Sequence, residues 1–367
     1  PRFGVNLADG ANWQQSLPLT NTEELRELRQ TNSGLYVANG QQLLFRPNQG
    51  NWAEVSGDAA LDTSIIYLGS NANFAWCITQ DSLYLLQNGV SSFDAEAVGI
   101  SRTSFSSDGQ HWAYQRWNTT ELVDRETGAE ARPLAELLPP TNRGRHVRVQ
   151  DGKLYITANF GISEYDLSEP NVPASWRQFN AGTNGLPGSF YSPTLPYFDS
   201  QRNLWIGSFD QGVAKVQESG EVQVYNSGNT PLVGIVQENG QWNATRITDV
   251  MEDQQGVLWM TLYAADQNRS LVAHDPETEQ WQLFQLPEGW TYELLQDQNG
   301  YIWIRNWRNG VTVFDYNGSP FDASDDRARV LGVGDLSGGL SNIVVQDLVM
   351  DRDGYIWAAT AAGVVVF

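Results

Sequence analysis

The chain has 367 residues, 41% of them apolar, with 14 each of tryptophan, tyrosine and phenylalanine, so it can bury a sizeable core. Acidic residues outnumber basic ones by 43 to 22, and the formal charge of −21 repels phosphate, which argues against nucleic acid as a partner. No apolar run approaches the roughly 18 residues of a membrane helix, and the single cysteine, Cys77, excludes an internal disulfide.

The first residues, PRFGVN, lack the charged and apolar segments of a secretory leader. Either a leader has been removed or the chain begins inside a longer protein, and we favour the second. The segment NTEELREL at residues 21–28 fits one or two helical turns, or else the start of a strand. No longer stretch has a helical period, which indicates an all-β chain.

One unit recurs along the chain and is clearest near its end, in DQQGVLWM, DQNGYIWI and DRDGYIWA from residues 253, 297 and 351. Each reads Asp-x-x-Gly-x-hydrophobic-Trp. The Asp favours a tight turn by bonding nearby backbone N–H groups, the Gly accepts positive φ, and the Trp begins a buried strand. A short polar gap and a second strand follow, as in GVTVFD.

Weaker copies upstream bring the number of units to eight, with an average spacing near 46 residues between their aligned aromatics. These aromatics are Tyr36, Trp76, Trp112, Tyr155, Trp205, Trp259, Trp303 and Trp357. The spacing holds four short strands and is typical of β-propeller blades. We predict one propeller over residues 1–367 with eight blades, seven being the alternative. The last unit ends at Phe367 after its third strand, so the N-terminal segment around Trp13 is expected to supply the fourth and close the ring.

Residues that recur in every strong unit are interpreted as framework, because a unique site would not repeat. They are Asp253, Gly256, Trp259, Asp297, Gly300, Trp303, Asp353, Gly354 and Trp357. Residues that break the pattern lie between the second and third strands, and their aromatic and Arg side chains suit sugar stacking or partner binding. These candidate rim residues are Trp117, Phe160, Phe209, Arg269, Trp307 and Arg308.

Catalytic and metal chemistry has little support in the sequence. His111, His146 and His274 are not at metal-ligand spacing, and no nucleophile elbow or phosphate loop is present. Asp325 and Asp326 lack the alternating oxygen ligands of a calcium loop, which leaves a structural calcium open but not favoured. We expect no enzyme activity, no metal and no cofactor.

The Asp-x-x-Gly-x-x-Trp units, each followed by a Gly-Val strand, resemble the two-component-regulator propeller repeat of bacterial sensor kinases. From residue 199 onward, the order of elements ending in SDDRARVL and GLSNIVVQDLVMDRDGYIWAATAAGVVVF is similar to the propeller of PorZ-type proteins of the Bacteroidetes type IX secretion system. Residues 1–198 fit only as generic blades. The resemblance supplies no catalytic residue.

This resemblance implies a noncatalytic propeller of a larger surface protein that helps secrete and attach cargo. Its partners would be other secretion-complex proteins or a surface glycan such as lipopolysaccharide, without nucleic acid and without a membrane span of its own. It would be secreted, on the cell surface or on the periplasmic face of the outer membrane. The alternative is the carbohydrate-sensing ectodomain of a hybrid two-component sensor.

Overall fold

A computed structural model gives the fold of the chain. It describes residues 14–15, 25–39, 42–57, 65, 67–79, 82–96, 100–107, 111–116, 119–124, 144–158, 161–168, 176–180, 185–186, 196–235, 244–263, 268–332, 344–360 and 363–367. These residues form strands and turns and contain no α-helix. The segment whose pattern fitted helix or strand is a strand from Leu25 onward.

The described residues form 32 strands. The first ten are β1 (Gln14–Gln15), β2 (Leu25–Gln30), β3 (Gly34–Asn39), β4 (Leu43–Pro47), β5 (Ala53–Glu54), β6 (Ser56–Gly57), β7 (Tyr67–Ser70), β8 (Ala75–Ile78), β9 (Ser82–Gln87) and β10 (Val90–Glu96). The next eleven are β11 (Ile100–Ser107), β12 (His111–Arg116), β13 (Thr119–Asp124), β14 (Gly144–Gln150), β15 (Lys153–Ala158), β16 (Gly161–Asp166), β17 (Trp176–Asn180), β18 (Tyr197–Phe198), β19 (Leu204–Gly207), β20 (Val213–Val216) and β21 (Val222–Tyr225). The last eleven are β22 (Ile247–Glu252), β23 (Leu258–Leu262), β24 (Leu271–Asp275), β25 (Gln280–Phe284), β26 (Thr291–Gln296), β27 (Ile302–Asn306), β28 (Val311–Asp315), β29 (Arg327–Leu331), β30 (Val345–Met350), β31 (Ile356–Thr360) and β32 (Gly363–Val366).

These strands assemble into eight sheets in the described part of the chain, six of them four-stranded. Successive strands pair antiparallel as meanders, for example β22-β23-β24-β25 and β26-β27-β28-β29. One sheet gains a fifth strand because β6 adds to β10 in parallel, and the sheet β11-β12-β13 has three described strands. The repeat of the sequence is therefore a repeat of four-stranded sheets.

The chain divides into two compact units. The first unit comprises residues 1–98 and 286–367, and the second comprises residues 99–285. Within the first unit, β26 and β27 pack on β30, β30 and β31 pack on β2, and β2 packs on β7. Within the second unit, β11 and β12 pack on β14, and β19 packs on β22.

The last sheet of the first unit takes its fourth strand from the start of the chain. β1 pairs antiparallel with β32, joining Gln14 to Val366 and Gln15 to Val365. The sequence predicts that the segment around Trp13 supplies this strand. The two residues that follow Trp13 form it, and Trp13 itself lies outside the described residues. This strand covers an edge of β32 that would otherwise expose unpaired backbone groups.

Carboxylates on the first strands link neighbouring sheets of the first unit. Asp347 accepts a hydrogen bond of 2.9 Å from the backbone N–H of Leu28 and forms an ion pair with Arg29. Glu293 accepts one of 3.3 Å from the N–H of Leu348. Each buried backbone donor is thereby satisfied by a charged acceptor from the neighbouring sheet, a charge-assisted bond stronger than a neutral one.

Candidate binding surface

A turn between the first two strands holds each framework tryptophan in place. In the sheet from β22, the indole N–H of Trp259 donates to Oδ2 of Asp253 at 2.8 Å. The other oxygen, Oδ1, accepts the backbone N–H groups of Gln255 and Val257 at 2.8 and 2.9 Å. Gly256 occupies the turn at φ 83°, a conformation that costs glycine least. One buried carboxylate therefore fixes both the turn and the indole.

The same Asp–Trp hydrogen bond occurs in three other sheets. The pairs Asp199–Trp205, Asp297–Trp303 and Asp351–Trp357 have indole distances of 2.8, 2.9 and 2.7 Å. In the third pair, the sequence assignment of Asp353 to the framework is wrong. Asp353 is exposed and only donates its backbone N–H to Asp351, because the turn requires the carboxylate three residues before the Gly.

The other framework positions have the environment that a turn and a blade core require. Trp259, Trp303 and Trp357 are at most 3% exposed. Gly300 and Gly354 have φ of 89° and 87°. In the Asp199 turn this position is held by Arg202 at φ 67°, which explains why the sequence copy there is weaker.

The opposite ends of the same strands carry an exposed aromatic surface in the first unit. Strand β27 runs from its Asp turn to the loop 307–310, where Trp307 is 43% exposed. Trp290, directly before β26, is 45% exposed. The two residues are neighbours, because the N–H of Trp307 donates to the carbonyl of Trp290 at 2.8 Å. We call Trp290 and Trp307 the Trp surface.

Half-buried side chains support the Trp surface from below. The ring of Tyr292 stacks on that of Trp307, with centroids 5.4 Å apart and planes inclined by 27°. The guanidinium of Arg305 lies 5.0 Å from the centre of the Tyr292 ring and pairs with Glu293 at 3.3 Å. This layering fixes the orientation of the Trp307 indole, which lowers the entropic cost of binding a ligand on it.

Polar groups border the Trp surface. Arg308 is exposed next to Trp307. The amide of Asn309 donates to Oε1 of Glu288 at 2.6 Å. Aromatic faces beside hydrogen-bonding side chains can stack on a sugar ring and bind its hydroxyls, or can anchor a protein partner.

The remaining candidate rim residues are placed as follows. Phe209 lies in the second unit, where it is half-buried beneath the guanidinium of Arg246. Arg269 is half-buried in the loop between β23 and β24. Trp117 and Phe160 lie outside the described residues. The structure therefore brings Trp307 and Arg308 together, by adjacency in one loop, and leaves Phe209 and Arg269 on the second unit.

Sequence reasoning missed Trp290, Tyr292, Arg246 and Tyr263. A signal existed for Tyr263, because Phe209, Tyr263 and Trp307 each follow a framework tryptophan by four residues. Trp290 and Arg246 carry no such signal, because they directly precede the first strand of a sheet and do not lie between its second and third strands. The backbone carbonyl of each accepts a hydrogen bond from the aromatic residue that follows the framework tryptophan by four residues. The N–H of Trp307 donates to Trp290, and the N–H of Tyr263 donates to Arg246 at 3.0 Å.

The isolated ionisable groups behave as structural residues. His274 is fully buried and stacks on Trp281 with centroids 3.8 Å apart, and burial lowers its pKa to about 4. Burial and the neighbouring Asp325 raise the pKa of Asp326 to about 6. Burial also raises the pKa of the Cys77 thiol, so the thiolate is disfavoured.

Neither a metal centre nor a membrane helix is found in the part of the chain that the structure describes. No three His, Cys, Asp or Glu side chains there are grouped so that they could hold a metal ion. Within the same residues, no helix has the length and apolar character needed to cross a bilayer.

Comparison with known proteins supports the repeat and the fold. The family described as Two component regulator propeller matches residues 338–362, and a search of curated proteins finds no significant match. PorZ of the type IX secretion system of Porphyromonas gingivalis is similar at 16% identity, over 95% of this chain and 55% of that chain, with a TM-score of 0.46. The extracellular domain of a putative hybrid two component system from B. thetaiotaomicron is similar at 14% identity over 94% and 51%, with a TM-score of 0.53.

One β-propeller structure is similar over almost the whole chain. The WD40 β-propeller domain of Doa1 is similar at 11% identity over 97% of this chain and 96% of that domain, with a TM-score of 0.51. The chain spans about half the length of the PorZ and hybrid-system structures. The chain thus has a β-propeller fold and carries a two component regulator propeller repeat at residues 338–362.

Proposed function

We propose that this chain is a noncatalytic recognition propeller of an extracellular surface protein, and that it binds a glycan or partner protein on the Trp surface. The observation that carries the proposal is the exposure of Trp290 and Trp307, at 45% and 43%, in neighbouring positions of one sheet. Exposed tryptophans are costly in water, and indole faces are effective platforms for sugars and for protein hot spots. A ligand that covers them would offset that cost.

The proposal that the chain is noncatalytic rests on the structural roles of its recurrent aspartates and of His274. The recurrent aspartates are committed to turns and indoles, as the bonds of Asp253 to Trp259, Gln255 and Val257 illustrate. His274 is buried and held neutral, which makes it a poor proton carrier near neutral pH. We expect the purified domain to hydrolyse or eliminate no polysaccharide. Reproducible turnover would contradict this.

The architecture that best suits such a domain is one ring of eight blades, and we include it in the proposal. Eight sheets in the described residues and the pairing of β1 with β32 support it. A ring closed in this way leaves no open sheet edge between its first and last blades. A cysteine cross-link between Gln14 and Val366, formed without loss of the fold, tests the closing pair.

The cellular role is proposed as attachment or secretion of cargo at the cell surface, in the manner of PorZ-like proteins. The partners would be other secretion-complex proteins or a surface glycan such as lipopolysaccharide. The second candidate, a carbohydrate-sensing ectodomain of a hybrid two-component sensor, uses the same Trp surface. Gene deletion in the host separates them: loss of surface-attached cargo favours the first role, and loss of glycan-induced transcription favours the second.

The binding proposal is tested with the double variant Trp290→Ala/Trp307→Ala. Purified protein is titrated with outer-membrane lipopolysaccharide and with a panel of neutral and acidic oligosaccharides. We expect binding by the wild type and at least about tenfold weaker binding by the double variant, because stacking residues dominate such contacts. The matched control is Tyr355→Ala, since Tyr355 is 53% exposed but lies in the turn at the opposite ends of the strands. Equal loss in both variants would contradict the proposal.

A further inference from the structure

Arg246, in the second unit, holds its guanidinium over two aromatic rings. The central carbon of the group lies 5.5 Å from the centre of the Phe209 ring and 5.8 Å from that of Tyr263. Its Nε–H donates to the backbone carbonyl of Phe209 at 3.2 Å. Two cation–π contacts and one hydrogen bond therefore fix the plane of a side chain that is otherwise among the most flexible.

The contacts just described do not use the N–H groups of the two terminal amino groups of Arg246. Among the residues that the structure describes, Nη1 and Nη2 have neither a hydrogen-bond acceptor nor an ion-pair partner, although the side chain is only half exposed. The two groups form a planar fork that matches a carboxylate with two parallel N–H···O bonds. Because the fork is already oriented, little entropy is lost when a ligand binds to it.

The loop that carries Phe209 is itself held by hydrogen bonds. The hydroxyl of Ser208 donates to Oδ1 of Asp210 at 2.8 Å. The backbone N–H of Thr245, next to Arg246, donates to the carbonyl of Asp210 at 3.3 Å, and the N–H of Gly212 donates to the carbonyl of Thr245 at 3.0 Å. The ring of Phe209 and the backbone of Arg246 thus belong to one connected segment.

We propose that Arg246 binds the carboxylate of a ligand that carries a single negative charge, such as the free α-carboxylate of a peptide. The fork can hold one carboxylate, and a chain with a formal charge of −21 gives no bulk attraction to further negative charges, so a ligand with a single negative charge is favoured at this site over a polyuronate or a phosphate dianion. The fork supplies the local positive charge, and the Phe209 and Tyr263 rings keep it oriented. This site lies on the second unit and does not depend on the Trp surface.

The test uses N-acetyl-diglycine with a free carboxylate as the probe and the corresponding amide as its neutral counterpart. Saturation-transfer NMR at fixed ionic strength measures the affinity of each for the whole chain. We expect saturable binding of the acid and none of the amide. The variant Arg246→Gln should bind the acid at least about tenfold more weakly, and Arg246→Lys should be intermediate because it keeps the charge but loses the fork.

The matched control is Arg202→Asn, which removes an exposed arginine of the same unit at a φ that asparagine tolerates. Melting temperatures show whether each variant is folded. Equal binding of acid and amide, or equal affinity in wild type and a folded Arg246→Gln, would overturn the carboxylate site. Tighter binding of trigalacturonate than of the peptide acid would overturn the choice of a ligand with a single negative charge.

Discussion

Trp303 and Trp307 lie four residues apart in one sheet and have opposite environments. Trp303 is 1% exposed, and its indole N–H is held by Asp297 at 2.9 Å. Trp307, at the other end of the strand, is 43% exposed and stacks on Tyr292. The first position is a tryptophan in every strong unit, whereas the second holds Phe209, Tyr263, Trp307 and Ala361 in successive units. An invariant residue therefore marks framework in this fold, and a position that varies between units marks the surface available to ligands.

The largest effect should come from removing a framework indole. Trp259→Ala or Trp303→Ala should lower the free energy of unfolding by about 3–5 kcal/mol, because each leaves a large cavity and an unpaired Asp. Trp307→Ala should cost less than about 1 kcal/mol, as is usual for an exposed side chain. Urea unfolding of the three variants measures the difference. A reversed ranking would break the distinction between framework and surface.

A pH effect comes from His274, which packs among the aromatic rings of Trp205, Tyr225 and Trp281. Its pKa is lowered to about 4 in the folded protein, against an unfolded value of 6.5. Between these values the unfolded chain binds the proton and the folded chain does not. The contribution of His274 to stability is therefore complete above pH 6.5 and falls toward pH 4, by on the order of 3 kcal/mol.

The variant His274→Phe isolates this contribution. Phenylalanine keeps the aromatic contact with Trp281 and does not titrate, so the slope of unfolding free energy against pH should flatten between pH 4 and 6.5. An unchanged slope in the variant would show that His274 is already protonated in the folded state.

The two aspartates of the last repeat give a sharper test. Asp351→Ala removes the acceptor of Trp357 and of two backbone N–H groups, and should cost about 2 kcal/mol or more. Asp353→Ala, two residues away and exposed, should change stability by less than about 0.5 kcal/mol. Thermal unfolding of the two variants measures the difference in stability between them. Equal costs would argue for a shared role of both carboxylates in the turn.

The string DRDG explains why the sequence alone misassigned this pair. Both aspartates precede the Gly, but the Asp-x-x-Gly spacing of the other units points to Asp351, and the turn geometry shows that its carboxylate reaches the indole. The repeat, the all-β class and the strand order within a unit could be predicted because turn residues and aromatics recur at fixed offsets. The exposed position of Trp290 could not be predicted from the sequence, because it depends on which backbone groups pair at the start of β26.

The smallest effect concerns the turn in which Arg202 replaces glycine. Arg202 has φ 67°, so Arg202→Gly should stabilise the chain by about 1 kcal/mol through relief of backbone strain. Gly256→Ala, at φ 83°, should destabilise it by about the same amount. The nearest atom to an added Cβ at Gly256 is 3.8 Å away, so this cost is conformational and not steric. Chemical denaturation detects both changes, and shifts of the same sign would contradict the equivalence of the two turns.

The most direct test of the binding proposal is the protection of Trp290 and Trp307 from acrylamide when the titrated lipopolysaccharide or oligosaccharide binds. Their share of the quenchable fluorescence is the difference between wild type and Trp290→Phe/Trp307→Phe. We predict that saturating ligand removes this share from the wild type and leaves the buried Trp259, Trp303 and Trp357 unchanged. Tight binding that leaves Trp290 and Trp307 fully accessible to the quencher would contradict the assignment of the Trp surface as the recognition site.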